Sequence, residues 1–498
     1  MKKNIEAIYG LSPLQQGLLF HSLYAPNTGA YVEQLHCRLT GNLNQQAFEH
    51  AFQHVLNRHP ILRTAFVWEQ LDKPVQVVHT TISLPIEYIN WQADSAQAQQ
   101  TRLNQLLQTD QQTDFDLTKA PLMRVRIIKT AADSYYFIWT HHHILLDGWS
   151  VSTVLGELFS LYAAYSQGQS LSLAPTKPYR GYINWLKSQD TQVAERFWSS
   201  YLKGFISPTP LINPRPTPQQ STKMGYAEDQ LALSSATTSA LQELARQNQL
   251  TLSTIIQAAW ALLLSRYSNE QDVVFGATVA GRPADLLGIE TMVGLFINTL
   301  PVRSQVDPDL CLIDWLQNLH RNQVQLRQFE YSALADIQRL SELPRGTALF
   351  DSLVVFENYP LDATLQGSDA GLNFHDIHAV EHTNYPLTLL VLPKQTLTLR
   401  LSYAQQQFSA STIEHMLAHL AQLLNQFCAE PTQKLGAFSL LDNEARQQML
   451  HTWNATHEPA FLGEQRLHSL FVAQANRTPE AIAVRFGDQC LSYAELDH

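Results

Sequence analysis

Apolar positions in the first part of the chain recur at helical spacing. Residues 43–59 (LNQQAFEHAFQHVLNRH) place Leu43, Ala47, Phe48, Ala51, Phe52, Val55 and Leu56 on one stripe, which predicts an amphipathic helix. Pro60 disfavours helix at His59, so RHPILRTAF leads into an extended segment. Residues 122–130 (LMRVRIIKT) and 135–145 (YYFIWTHHHIL) read as two strands around a polar AADS turn. Helical spacing returns at 151–166 through Val154, Leu155, Leu158, Phe159 and Tyr162. The second half repeats the alternation. It has a helical pattern at 234–267, strands at 272–280 and 349–357, a hairpin at 385–404 around PKQ, and a helix near 410–428. The stretches 168–178 and 207–223 are proline-bearing connections. The expectation is α/β architecture in two lobes of similar size, split near 170–225. After about 440 the pattern changes, to a linker-like stretch at 441–465 and a further unit from 466.

Composition narrows the class. At 498 residues, more than one core is expected. The net charge is −11 and no block of five like charges occurs, which disfavours a nucleic-acid partner. Cys37, Cys311, Cys428 and Cys490 are scattered without a CxxC spacing, so neither a disulfide framework nor a zinc site is expected and a reducing cytoplasm fits. The basic start MKK is not followed by a signal-peptide apolar stretch, and no run of about 20 apolar residues suggests a membrane span.

The chemistry concentrates at 141–150, HHHILLDGWS. If the strand runs on through it, side chains alternate, with Phe137, Trp139, His141 and His143 on one face and His142 on the other. An imidazole at a strand end is a proton acceptor near neutral pH. Asp147 precedes Gly148 at a strand-to-helix turn, where it would cap the helix or pair with a buried arginine. Only His141 and His143 share a side, and no acidic or cysteine partner has metal-site spacing nearby, so no metal is expected. A hydrogen-bonded core histidine remains the commoner alternative on strand chemistry alone.

HHILLDG (142–148) resembles the HHxxxDG signature of the condensation domains of nonribosomal peptide synthetases. Six further segments follow in family order. SPLQQGLLFH (12–21) is similar to the family's opening, RHPILRTAF (58–66) to RHxxLRTxF, and FDLTKAPLMRVRI (115–127) to FDL…PLxR. YRGYINWL (179–186) resembles the segment after the lobe crossover, VGLFINTLPVR (293–303) the GxFxNTxxxR stretch, and LFDSLVVFENYP (349–360) the FD…F motif. QFEYSALADI (328–337) departs from the commoner QDYPFE-like form. Residues 466–498, with LSYAEL, resemble the first stretch of an adenylation domain.

The resemblance implies two chloramphenicol-acetyltransferase-like lobes in a V-shaped pseudo-dimer, spanning 1–175 and 176–440, with a linker at 441–465 and an adenylation fragment at 466–498. It implies amide-bond formation between a donor thioester on an upstream carrier protein and the amine of an acceptor thioester on a downstream carrier. Phosphopantetheine arms come from the carriers, and the domain holds no cofactor of its own. His143 matches the signature's second histidine and is the expected catalytic group, as base or as positioning group. His142 is expected to be structural. Asp147 is expected to hold the turn through Arg63, with Arg282 as second choice. Gly148 would leave room for an arm and lend its N–H to an oxyanion. Trp149 is expected to pack rather than line the tunnel. Asn298 is a candidate for a hydrogen bond across the lobe junction or for a structural role. The opening segment leans towards a donor with a D-configured terminal residue. An epimerisation-type relative and a catalytically silent recruitment domain are the alternatives. The adenylation-like tail and the complete signature disfavour them.

Overall fold

The computed structural model describes residues 4–26, 28–211, 225–358, 371–381, 383–393, 395–456 and 466–498. Most of the proline-rich connection, the end of the 349–360 motif, Lys394 of the hairpin turn and 457–465 of the expected linker lie outside these residues. The chain divides into two compact units, Met1–Leu440 and Leu441–His498.

The first half of the large unit runs β1 (Ile5–Gly10), α1 (Pro13–Tyr24), β2 (Val32–Gly41), α2 (Gln45–Arg58), β3 (Thr64–Val67), β4 (Val75–His79), β5 (Ile86–Asn90), α3 (Ala96–Gln111), β6 (Met123–Ala131), β7 (Ser134–His142) and α4 (Gly148–Ser166). The second half runs α5 (Arg180–Lys187), α6 (Thr191–Tyr201), β8 (Tyr226–Ala232), α7 (Ser235–Gln247), α8 (Leu252–Ser268), β9 (Asp272–Val279), β10 (Asn298–Gln305), α9 (Leu312–Arg327), α10 (Leu334–Leu340), β11 (Ser352–Phe356), β12 (Leu372–Val380), β13 (Leu387–Pro393), β14 (Leu397–Ala404) and α11 (Ala410–Ala429).

Local chemistry sets these boundaries. Asn44 caps α2 by accepting the Ala47 N–H at 3.1 Å. The predicted stripe from Ala47 to Leu56 is buried on that helix, and His59 turns extended ahead of Pro60. The helical pattern at 234–267 resolves into two helices, because Gln249 adopts a left-handed φ of 54° and breaks the run.

Each half has its own sheet and core. The five-stranded sheet has the order β12-β2-β7-β6-β5, and the six-stranded sheet β10-β9-β11-β13-β14-β8. A third sheet, β1-β4-β3, lies in the first half. The boundary expected after residue 175 is not a clean cut. Strand β12 pairs with β2 in the first half's sheet. Tyr179, Tyr182, Ile183, Ile289, Met292, Val293, Leu295 and Phe296 are buried in the first half's core. These crossing segments carry second-half residues to the end of β7, where the signature lies.

The small unit holds a helix at Leu467–Arg477, a hairpin of Ile482–Phe486 with Gln489–Ser492, and a short helix at Tyr493–Asp497. The hairpin leads into that helix through a capping box between Ser492 and Glu495. Residues expected to be linker are partly helical, at Asn443–Gln447 and Gln448–Thr452.

Candidate active site

Strand β7 ends at His142, one residue short of His143. The chain then turns tightly, with Leu145 N–H on the His142 carbonyl and Leu146 N–H on the His143 carbonyl. Ile144, Leu145 and Leu146 are fully buried, and Gln15 of α1 donates to the Ile144 carbonyl at 3.1 Å. The apolar centre of HHILLDG is thus the anchor of the turn. It fixes the polar residues on either side.

His142 sits in a closed relay. Its Nδ1 accepts the Ile144 N–H at 3.1 Å, so Nε2 carries the proton and donates to Ser22 Oγ at 3.1 Å. Ser22 in turn donates to the Leu18 carbonyl. Burial, together with the neighbouring His143, pushes its pKa down to about 3. This ring is neutral and engaged at both nitrogens.

His143 differs in every respect. Its side chain is 18% exposed, whereas that of the neighbouring His141 is 2% exposed. Its backbone N–H bonds the Tyr31 carbonyl at 2.8 Å. Nδ1 donates to the Leu146 carbonyl at 2.9 Å, and Glu33 Oε1 stands 2.6 Å from the same nitrogen. Both contacts are on Nδ1, so Nε2 is the nitrogen turned away from them. Burial by itself would lower the pKa of this ring. The Glu33 carboxylate outweighs burial, with help from Glu381, and raises it to about 9. Burial likewise opposes ionisation of Glu33, but His143 and His141 overcome it and hold the carboxyl at about 2.

Glu33 was not among the sequence-predicted site residues. It lies on β2, paired in register with His141, and its Oε2 stands 2.9 Å from His141 Nε2. His141 stacks on Trp139 with ring centroids 4.9 Å apart. The polar pair Glu33–Gln34 between apolar Val32 and Leu35 was the signal available. Only sheet register tells which histidine it meets. Although two histidines and a carboxylate gather here, the described residues contain no His/Cys/Asp/Glu group arranged to hold a metal ion.

Asp147 does cap α4, accepting the Ser150 N–H at 2.8 Å. It also pairs with an arginine, but not with Arg63. Arg282 approaches Asp147 Oδ1 at 3.3 Å, and the Phe296 N–H donates to Oδ2 at 3.0 Å. The Ser150 hydroxyl and the Gly294 backbone close the network. Arg282 also donates to the Ile289 and Met292 carbonyls and stacks its guanidinium 4.1 Å over Phe296. The GRP turn can reach this point because Gly281 has a φ of 59°. A Cβ there would meet the Phe296 carbonyl oxygen at 1.8 Å.

Arg63 is spent elsewhere. It follows α2 directly and donates to the Leu56 and Asn57 carbonyls at the end of that helix, then to Glu6 at 2.9 Å. One other expectation also changes. Trp149 does not pack in a core but is 44% exposed. Of the two roles weighed for Asn298, its contacts among the described residues fit the structural one, with Nδ2 donating to the Glu330 and Ser332 carbonyls of the second half. Gly148 opens α4, so its N–H is among those that a helix start leaves without an intrahelical partner.

The sequence profile of the family described as "Condensation domain" matches residues 5–450. One of the linear gramicidin synthase proteins of Brevibacillus parabrevis is 45% identical over 99% of the chain, which spans 10% of that relative. Tyrocidine synthase 2 of the same organism is 36% identical over 100% of the chain, which spans 14% of it. A four-domain nonribosomal peptide synthetase bound to AMP and glycine superposes with a TM-score of 0.74 at 20% identity, covering 99% of this chain and 38% of that one. The X-domain from teicoplanin biosynthesis gives 0.72 at 22% identity, covering 87% and 97%. The fold is therefore that of condensation domains and their relatives. Among the described residues no helix is long and apolar enough to cross a membrane.

Proposed function

The chain belongs to the condensation-domain family, and we propose that it forms the amide bond between a donor acyl or peptidyl thioester and the amine of an acceptor aminoacyl thioester. Each substrate hangs on the phosphopantetheine arm of a carrier protein, the donor upstream and the acceptor downstream. The amine nitrogen attacks the thioester carbonyl, the C–S bond breaks, and one proton passes from nitrogen to sulfur. No oxidant, metal or further cofactor enters that balance.

The observation that carries the reading is His143, held at Nδ1 with Nε2 turned away, at the start of a complete HHxxxDG turn. Nε2 is the atom that meets the reacting groups. In the neutral ring it accepts from the attacking amine and takes the proton of the tetrahedral zwitterion. The resulting cation returns that proton to the leaving sulfur. A ring raised to about 9 lies near an ordinary thiol at about 8.5, so the return is close to balanced. Such a ring is mostly protonated near neutral pH, which limits its service as a base. Orientation of two tethered reactants supplies about 7–11 kcal/mol, against about 3–5 kcal/mol from a general base. Positioning is accordingly the larger contribution. The Gly148 N–H is proposed as a donor to the developing oxyanion, and exposed Trp149 as a contact for an arm.

The same reading assigns 1–175 and 176–440 to two lobes, the second of which lends segments to the first, and 466–498 to the beginning of an adenylation domain in cis. The match of 99% of the chain to a four-domain synthetase supports the latter. The scattered, unpaired cysteines support a reducing, cytoplasmic setting. The test uses a donor-loaded and an acceptor-loaded carrier, mixed with the chain and followed by intact mass. Dipeptidyl product on the acceptor carrier is expected. A run with D- and L-terminated donors, in which the D form reacts faster, checks the donor preference. No product with any loaded pair would leave the silent-domain alternative standing.

A further inference from the structure

We infer that Glu33 is a positioning residue for condensation: its carboxylate, reaching from β2 to Nδ1 of His143 and Nε2 of His141, sets the charge of His143 and presents Nε2 to the substrates. The inference rests on His143 being the reacting histidine, as proposed above. The geometry is specific. One oxygen stands 2.6 Å from His143 and the other 2.9 Å from His141, so a single carboxylate spans both rings. Glu33 is buried, and the β2–β7 register places it directly opposite His141. The Leu146 carbonyl accepts the Nδ1–H at 2.9 Å. That carbonyl fixes which nitrogen is protonated. Its own contribution to the basicity of the ring is smaller than that of Glu33, the leading cause of the rise.

The other groups near the ring do not replace it. His142, on β7, is a neutral neighbour closed into its own relay. His141, on the same strand, shares the carboxylate rather than adding one. Tyr31, ahead of β2, contributes its carbonyl. Glu381, just past β12, is a second negative group that acts on His143, and its effect is smaller than that of Glu33. A buried carboxylate paired to a titratable ring favours the charged form of that ring, and removing it lets burial dominate.

The experiment compares the whole chain with Glu33→Gln and Glu33→Asp. Its primary readout is the titration of His143, observed by NMR on histidine-labelled protein and assigned by the resonance missing from His143→Gln. In Glu33→Gln the apparent pKa is expected to fall by at least two units, and turnover with loaded carriers by roughly 10- to 100-fold. Glu33→Asp keeps the charge at a longer reach, so it should fall between the two in both readouts. It also carries the comparison if Glu33→Gln does not fold. An unchanged His143 titration in either folded variant overturns the inference, and so does wild-type turnover in Glu33→Gln. Failure of the proposed function looks different: the wild type would make no dipeptide, while the titration still showed whether Glu33 governs the ring.

Discussion

Two buried carboxylates flank the same turn, and they are paired in opposite ways. Glu33 faces imidazoles, whose charge depends on pH, and has close side-chain contact with one partly exposed ring. Asp147 faces a guanidinium, which stays charged, and two backbone N–H groups. The first arrangement can change state during a reaction, whereas the second holds one state throughout. The HHxxxDG turn thus joins an adjustable pair at its start to a fixed clasp at its end. The clasp is what binds the turn to the second half, through Arg282, Gly294 and Phe296.

The largest expected effect comes from the adjustable pair. His143→Ala should remain folded and lose condensation by about 10²–10⁴-fold, the range for a positioned acid–base group. Turnover with both loaded carriers and a melting curve measure it. Unchanged turnover would reduce His143 to a structural residue like His142. The clasp should answer in stability instead. Asp147→Ala takes the carboxylate from the Arg282 guanidinium and the acceptor from the Phe296 N–H, and breaking such a buried pair costs about 3–5 kcal/mol. Denaturant unfolding should show that loss. A variant with wild-type stability and no turnover would move Asp147 into the chemistry and erase the contrast.

Local features were readable along the chain and long-range ones were not. The stripe on α2, the two strands before the signature and the cap at Asp147 depend on neighbours within a few residues. Their spacing alone announces them. The partner of Asp147 does not follow from spacing. Arg63 sits in a quoted motif of the same half, yet the end of α2 claims it through the Leu56 and Asn57 carbonyls. Arg282 reaches Asp147 only because residues 289–296 cross into the first core. Glu33 was missed for a similar reason, since its meeting with His141 and His143 is set by strand register. Trp149 was expected to pack because large aromatics usually do. On the second residue of α4 it points out of the core.

Adjacent histidines give a pH test of smaller size. The folded pKa of His143 is raised from the ordinary 6.5 to about 9, so its stabilising contribution is full below 6.5 and fades as pH rises through 9. The folded pKa of His142 is lowered to about 3, so its contribution is full above 6.5 and fades as pH falls towards 3. The stability gap between wild type and His143→Gln should therefore shrink from pH 6.5 to 9. The gap for His142→Gln should shrink on acidification from 6.5. Melting temperatures across pH 4–10 read both trends, and parallel trends would show that the two rings are not in opposite states.

The smallest expected change in stability is at Trp149. It follows Gly148 on α4, two residues beyond the clasp, yet its side chain is 44% exposed. Trp149→Ala removes little buried area and leaves the Asp147 cap intact, so unfolding stability should stay within about 0.5 kcal/mol of wild type. A ring that only covers solvent would also leave turnover unchanged. A ring that guides a tethered substrate would raise the carrier concentration needed for half-maximal rate by several-fold, with the same melting curve. Measuring rate against acceptor-carrier and donor-carrier concentration in turn tells which arm it meets. A drop in stability of several kcal/mol would instead place Trp149 with Asp147, as part of the clasp.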